Sequence, residues 1–128
     1  MSGFRFPDYL DHIREAASDA RSFIDGMDKD DFFADKRTQY AVVMSLIVIG
    51  EAAAKVMDRY PDFAGKRTEI PWQVMRGMRN RIAHGYFEID FNIVWDTVNN
   101  LLPGLVANLA LIRADDASGE DGPGQETP

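Results

Sequence analysis

Residues 77–86 bring together the side chains of this sequence that are best suited to chemistry. The polar and aromatic residues of this segment are Arg79, Asn80, Arg81, His84 and Tyr86. Histidine gives and takes a proton near neutral pH, and arginine holds phosphate oxygens with a rigid fork that stays charged. These two groups are the minimum for cleaving RNA without a metal ion, because one moves the proton and the other neutralises the charge that builds on phosphorus. Arg79 and His84 are therefore the candidate catalytic residues.

The charge distribution favours phosphate binding near these residues, although the whole chain is acidic. The formal net charge is −7, but the last fifteen residues hold five acids and no base. Residues 66–84, in contrast, hold five lysine and arginine side chains against the single acid Glu69. A concentrated basic strip of this kind can bind phosphate locally on an acidic protein. We expect Arg76 and Arg81 to contact phosphate, and Asn80 to position a catalytic group or bond a phosphate oxygen.

A regular helix does not bring Arg79 and His84 together. Five residues turn about 500°, so the two side chains would point about 140° apart. They converge only if the helix deforms or ends near Gly85, or if a second subunit completes the site. Asn80 and His84, by contrast, are four residues apart and share a helix face.

The same residues also fit a purely structural role. His84 could bond the last carbonyls of its helix, and the arginines could pair with Glu51 or Asp90. Tyr86 could be a half-buried aromatic residue that packs beside Phe87. Spacing alone leaves both interpretations open.

Composition argues against several other kinds of site. No cysteine is present, which excludes a disulfide scaffold, a cysteine-based zinc site and a cysteine nucleophile. The only histidines are His12 and His84, and neither a P-loop nor a nucleophile-elbow motif occurs. We therefore expect no metal and no cofactor. The start of the chain lacks an apolar signal region, and the apolar run at residues 41–50 is too short to span a bilayer, so we expect a cytoplasmic protein.

Apolar residues recur at helical spacing nearly throughout, which predicts an all-α protein. The expected helices cover about residues 7–27, 35–59, 71–84 and 90–112. Asp90 is a suitable N-cap for the last helix, and Pro103 should kink or split it. Four helices of this length predict an antiparallel four-helix bundle. This helical domain should cover residues 1–113, and the glycine, proline, serine and acids of residues 114–128 predict a disordered acidic tail.

The second expected helix is apolar on more faces than one bundle can bury. The stripe expected to face inward comprises Tyr40, Val43, Met44, Ile47, Ala54 and Met57. Further apolar residues on its other faces are Val42, Leu46, Ile49 and Ala53. Such a helix is either central or covered by a partner chain, so we expect a homodimer.

Three strings in the sequence resemble the HEPN superfamily. They are IGEAA at residues 49–53, IPWQVMRGMRN at residues 70–80 and RNRIAHGYF at residues 79–87. More narrowly, the chain resembles the HepT-like group over roughly residues 9–112. The motif of that group is Arg, four residues, His, one residue, Tyr, which Arg79, His84 and Tyr86 match. Asn80 matches the polar residue that follows the arginine.

The resemblance implies a metal-independent endoribonuclease toxin. HEPN ribonucleases are helical homodimers whose two Arg–His motifs face each other across the interface, and this arrangement would answer the geometric separation of Arg79 and His84. In the HepT-like group the motif tyrosine, here Tyr86, accepts AMP from a cognate minimal nucleotidyltransferase, and this antitoxin thereby silences the toxin. The alternative is a non-catalytic helical module that binds a nucleotidyltransferase or presents substrate to it. The intact Arg79–His84 pair favours the ribonuclease, because a binding module needs no group for proton transfer.

Overall fold

The computed structural model describes residues 6–85 and 88–119, and it describes side chains for residues 8–85 and 88–112. The helices are α1 (Phe6–Phe23), α2 (Lys29–Phe33), α3 (Lys36–Arg59), α4 (Pro61–Lys66), α5 (Trp72–His84), α6 (Phe91–Asp96) and α7 (Leu102–Gly119). A π-helical turn, Thr97–Leu101, joins α6 to α7. The described residues form no strand, so the predicted all-α class is confirmed.

The central helix of the fold is α3. It packs against α1 on one side and α5 on the other, while α1 also packs against α7. The core between these helices is made mostly of aliphatic side chains and methionines, and its buried aromatic members are Tyr9, Phe32 and Trp72. Burial removes the apolar surface of these side chains from water. Other members of the core include Ile13, Ala17, Leu46, Ile49, Met75, Met78, Ile82, Leu105 and Leu109. The antiparallel arrangement of a four-helix bundle stays a prediction.

The helix starts predicted at two aspartates are confirmed by their capping bonds. Asp35 caps α3, because its carboxylate accepts from the backbone N–H of Thr38 at 3.1 Å and from the Thr38 hydroxyl at 2.8 Å. These bonds lower the pKa of Asp35 below its ordinary value of 3.8, and the bond from the backbone N–H of Thr38 has the larger effect. Asp90 caps α6 by accepting from the backbone N–H of Asn92 at 2.9 Å. Both caps satisfy N–H groups that have no partner within the helix.

Two short helices occupy segments that the sequence suggests to be connections. The acidic run after α1 starts α2, because Asp28 and Asp31 form a reciprocal capping box at 2.8 and 3.0 Å. Pro61 ends α3 and also stands in the first turn of α4, where its missing N–H costs nothing. The capping box holds Phe32 in the core, with its ring centroid 5.4 Å from that of Trp95.

The inner face predicted for α3 is wrong at two of its six positions, Tyr40 and Met44. Ala54 is buried as predicted, and Val43, Ile47 and Met57 are partly buried against the core. Tyr40 is 64% exposed and Met44 is 59% exposed. The buried residues of this helix are Val42, Ser45, Leu46, Ile49, Gly50, Ala52, Ala53, Ala54 and Val56. Because this helix is apolar on nearly every face, two stripes have helical spacing and periodicity does not tell them apart. We call the outward stripe of Tyr40, Met44 and Val48 the α3 apolar strip.

By length and composition alone, α3 could cross a membrane. Its most apolar window has a mean hydropathy of 1.7, but half of that window is buried among the other helices. This burial is typical of the core helix of a folded domain.

The interruption predicted at Pro103 takes the form of the π-helical turn that precedes it. The backbone N–H of Leu102 bonds the carbonyl of Thr97, five residues back, instead of four. Proline lacks an N–H and crowds the carbonyl four residues before it, so a widened turn relieves the conflict. Beyond it, α7 continues to Gly119, six residues past the boundary predicted at residue 113. This helix therefore extends into the segment for which the sequence predicts disorder, and residues 120–128 lie outside the described residues.

Candidate functional site

The candidate site is built on α5, which has one buried and one exposed face. Met75, Met78 and Ile82 are buried against α3 and the core, so Asn80 and His84 on the opposite face are exposed. The helix stays regular through His84 and ends at Gly85, as predicted. The predicted AMP acceptor, Tyr86, lies outside the described residues.

The guanidinium of Arg79 is held by two acceptors. Its Nε donates to Oδ1 of Asn80 at 2.8 Å, and its Nη1 donates to Oε2 of Glu51 on α3 at 2.8 Å. The Arg79 side chain is 21% exposed and that of Glu51 is 51% exposed. The guanidinium therefore lies at the rim of the α3–α5 contact, partly shielded from water and still open to a ligand.

The main chain of α3 comes unusually close to α5 at the level of Arg79. A Cβ added to Gly50 would overlap the Cβ of Arg79 and would lie 2.7 Å from the carbonyl oxygen of Met75. No residue with a side chain fits there without moving one of the helices. This approach places Glu51, the next residue, beside the guanidinium.

The imidazole of His84 is fixed by a backbone group one turn earlier. Its Nδ1 lies 2.9 Å from the carbonyl oxygen of Asn80. A carbonyl oxygen only accepts, so Nδ1 must carry the proton and donate. In the neutral ring Nε2 is then the basic nitrogen, and in the charged ring Nε2–H is a donor. The exposed imidazole can thus act as a base or an acid through one defined atom.

Asn80 connects both candidate catalytic residues, which do not bond each other. Its side-chain oxygen accepts from Arg79 and its main-chain oxygen accepts from His84. Among the described residues, no hydrogen bond joins the side chains of Arg79 and His84. Because α5 is regular between them, the predicted separation of about 140° remains within one chain.

The contacts expected if Arg79 and His84 have a purely structural role are present as well. Arg79 pairs with Glu51, and His84 bonds a carbonyl in the last turn of its helix. Both contacts are compatible with catalysis, since each leaves hydrogen-bonding atoms of Arg79 and His84 unused. Sequence reasoning considered Glu51 only as a structural partner, although it stands in the string IGEAA that carries part of the family resemblance.

The two other predicted phosphate contacts lie on different sides of α5. Arg76 is one turn from Asn80, donates to Oε1 of Gln73 at 3.1 Å and lies 3.7 Å from Asp58. Arg81 is exposed and lines a cleft of about 120 Å³ whose other walls include acidic residues. The structure therefore brings Arg76 nearer to the Arg79 side of the helix than Arg81.

In the part of the chain that is described, no group of three or more histidine and carboxylate side chains is arranged so that it could hold a metal ion. The nearest carboxylate to the candidate site, that of Glu51, is engaged by Arg79.

Comparisons with known proteins identify a family. The model of the ribonuclease HepT-like family matches residues 13–112. A protein of Thermococcus cleftensis named "Probable ribonuclease HepT" is 37% identical over 106 residues, which are 83% of this chain and 94% of the relative. A relative from Methanocaldococcus jannaschii, named as an RNase, is 38% identical over 113 residues, 88% of this chain and 90% of the relative. Another, from Caldanaerobacter subterraneus and also named as an RNase, is 33% identical over 97 residues, 76% of this chain and 84% of the relative. No solved structure matches this chain.

Proposed function

Because this chain belongs to the ribonuclease HepT-like family, we propose that it is an endoribonuclease that cleaves RNA without a metal ion. Arg79 and His84 are its catalytic residues. The observation that carries this assignment is the bond from Nδ1 of His84 to the carbonyl of Asn80, which leaves Nε2 exposed and able to move a proton.

The reaction uses the 2′-OH of the RNA as nucleophile. Nε2 of neutral His84 takes the proton of the 2′-OH, whose oxygen attacks the adjacent phosphorus. The bond between phosphorus and the 5′ oxygen breaks, and that oxygen takes up a proton, which the second copy of the motif in a homodimer can supply. The products carry a 2′,3′-cyclic phosphate and a 5′-hydroxyl. Arg79 neutralises the charge that builds on the phosphoryl oxygens.

The active form is a homodimer in this proposal. The α3 apolar strip leaves three large apolar side chains exposed on the same helix that carries Glu51, and a second copy of the chain would cover them. Light scattering at micromolar concentration should report a dimer. A monomer under these conditions would contradict this part of the proposal.

The biological role proposed is that of a cytoplasmic toxin paired with a minimal nucleotidyltransferase antitoxin. Tyr86 follows His84 by two residues and is the residue of this chain that matches the AMP-accepting tyrosine of the family motif. An AMP group there would add bulk and negative charge beside Arg79 and His84. It would occupy the place of the RNA phosphate and repel the incoming strand.

Cleavage of RNA by the purified protein in the presence of a chelator tests the activity. We expect cyclic-phosphate products, and we expect Arg79→Ala to lower the rate by about 10²–10³-fold. Arg21→Ala removes an exposed arginine from α1, on a different helix, and is the matched control. A requirement for Mg²⁺, or full activity in Arg79→Ala, would refute the mechanism. Protein that binds a nucleotidyltransferase but leaves RNA intact would support the alternative of a non-catalytic module.

A further inference from the structure

We propose that Glu51 is a positioning residue of the ribonuclease site, which orients the guanidinium of Arg79 toward the scissile phosphate. This inference rests on the proposed function, since it assigns Glu51 a part in the same reaction. It goes beyond the family motif, because Glu51 lies on α3, 28 residues before the arginine that it contacts.

The contact geometry leaves the phosphate-binding part of Arg79 available. Guanidinium has five N–H donors. Asn80 takes the Nε–H, and Glu51 takes one N–H of Nη1. The remaining N–H of Nη1 and both of Nη2 have no hydrogen-bond partner among the described residues. Two adjacent donors of this kind match two phosphate oxygens.

The two acceptors together restrict how the guanidinium can turn. A single bond to Asn80 would allow rotation about the last bonds of a long side chain. The second bond, from Glu51, comes from another helix and therefore defines the plane of the group. Stabilising the developing charge on the phosphate costs less entropy when the guanidinium is already oriented.

The backbone around Glu51 is also built for this contact. The preceding residue, Gly50, allows α3 to reach the Cβ of Arg79, where any side chain would collide. The base of the Arg79 side chain and the base of Glu51 are thus fixed relative to each other by packed helices. An exposed ion pair between two freely moving side chains contributes little, because holding both side chains in one geometry costs entropy. The side chains of Glu51 and Arg79 have less freedom to lose, because the packed helices fix their bases.

Removing Glu51 should change the activity in opposite directions, depending on whether the residue positions Arg79 or acts only through its charge. A carboxylate beside the phosphate site repels RNA, so if its charge alone mattered, removing it would strengthen binding and raise activity. If Glu51 positions Arg79, removing it lowers the rate of the chemical step although the net charge becomes more favourable for RNA.

The test is the cleavage kinetics of Glu51→Ala and Glu51→Gln on a defined RNA without metal. We expect Glu51→Ala to lower kcat by about 10- to 100-fold with little change in KM, as for a displaced catalytic group. Glutamine keeps an acceptor oxygen at the same reach, so Glu51→Gln should recover a large part of the rate. Asp58→Asn is the matched control, because it removes an acid of the same helix that contacts Arg76 instead of Arg79. It should leave kcat unchanged.

A double variant shows whether Glu51 acts through Arg79. Adding Glu51→Ala to Arg79→Ala should cause no further loss of kcat, since the group to be positioned is already gone. A further loss equal to that of Glu51→Ala alone would overturn the proposal, as would an unchanged or increased kcat in Glu51→Ala. If Glu51→Ala melts well below the unaltered protein, the comparison of Glu51→Gln with Asp58→Asn decides the question.

A spectroscopic measurement distinguishes this proposal from the proposed function itself. The Nη1–H resonance of Arg79, whose proton Glu51 accepts, should be protected from exchange with water in the unaltered protein, and Glu51→Ala should broaden it. If the unaltered protein does not cleave RNA but this resonance responds to Glu51→Ala, the ribonuclease function fails and the orienting contact stands. If the protein cleaves RNA and neither the resonance nor kcat responds, the role of Glu51 alone is overturned.

Discussion

Gly50 on α3 lies against the Cβ of Arg79 on α5, in a space that no side chain at position 50 could share. The carbonyl oxygen of Met75, one turn before Arg79, would also lie 2.7 Å from an added Cβ. The two helices therefore meet almost backbone to backbone at the level of the candidate site. Their closeness sets the distance over which Glu51 reaches the guanidinium.

Gly50→Ala should both destabilise the protein and lower its activity. The added methyl group must push α3 away from α5, and overpacking of this kind costs about 1–3 kcal/mol of the free energy of unfolding. Denaturant unfolding and RNA cleavage measure the two effects. Gly104→Ala on α7 is the control, because nothing lies within 4 Å of its added Cβ. It should raise stability by about 0.5–1 kcal/mol. Equal stability of the two variants would contradict the close contact at Gly50.

The neutral imidazole of His84 should occur as a single tautomer, with its proton on Nδ1. The bond to the Asn80 carbonyl requires the proton on Nδ1, so Nε2 carries the lone pair. Long-range ¹⁵N–¹H correlation spectra of the imidazole report the tautomer directly. His84→Ala should lower the cleavage rate by about 10²–10⁴-fold, the range for loss of a general acid or base. A ring protonated on Nε2 in the neutral state would mean that the bond does not form in solution.

The salt dependence of RNA binding should reveal which arginines contact phosphate. Each phosphate contact on a single strand contributes about −0.7 to the slope of log K against log salt. Arg76→Ala and Arg81→Ala should each make the slope shallower by that amount, whereas Arg21→Ala on α1 should not change it. If neither of the first two variants alters the slope, the RNA follows a path that avoids both sides of α5.

Tyr86→Phe should keep most of the ribonuclease activity and should escape silencing. Phenylalanine keeps the ring but has no hydroxyl to accept AMP. Co-expression with a nucleotidyltransferase encoded beside this gene, followed by intact-mass measurement, shows whether an AMP group is added. An AMP-sized mass increase that persists in Tyr86→Phe would identify a different acceptor.

The N-cap of α3 should make stability depend on pH in the acid range. The pKa of Asp35 is lowered by its bonds to Thr38, so the folded state favours the charged carboxylate. This stabilisation is complete above the ordinary pKa of 3.8 and is lost as the pH falls through the lower value of the folded state. Asp35→Ala should therefore lower Tm at pH 7, and the difference from the unaltered protein should shrink below pH 3.8. Asp25→Ala, an exposed acid between α1 and α2, should show no such trend.

The sequence predicts the long helices well because their ends carry local signals. Asp35, Pro61 and Asp90 mark helix boundaries by chemistry that acts over one turn, and all three lie where the structure has a boundary. The outward face of α3 could not be predicted in this way. Tyr40 and Met44 are exposed because α1 and α5 cover other faces of the helix, and that choice depends on the packing of the whole chain.

The candidate site, like the fold, is predictable from the sequence only where local signals determine it. The motif residues Arg79, Asn80 and His84 are found from their types and spacing, and the 140° separation follows from helix geometry. The approach of α3 at Gly50 and the bond from Glu51 to Arg79 join residues far apart in the chain. Spacing along one helix contains no information on such a contact, so it requires the folded structure.

The two acceptors on Asn80 differ in how they tolerate mutation. Its side-chain oxygen, which holds Arg79, is lost in most substitutions, whereas its main-chain oxygen, which holds His84, is kept in all of them. The tautomer of His84 is therefore robust to sequence change at position 80, and the orientation of Arg79 is not. In a drifting population of such genes, substitutions at position 80 should therefore release the guanidinium of Arg79 and leave the bond of His84 in place.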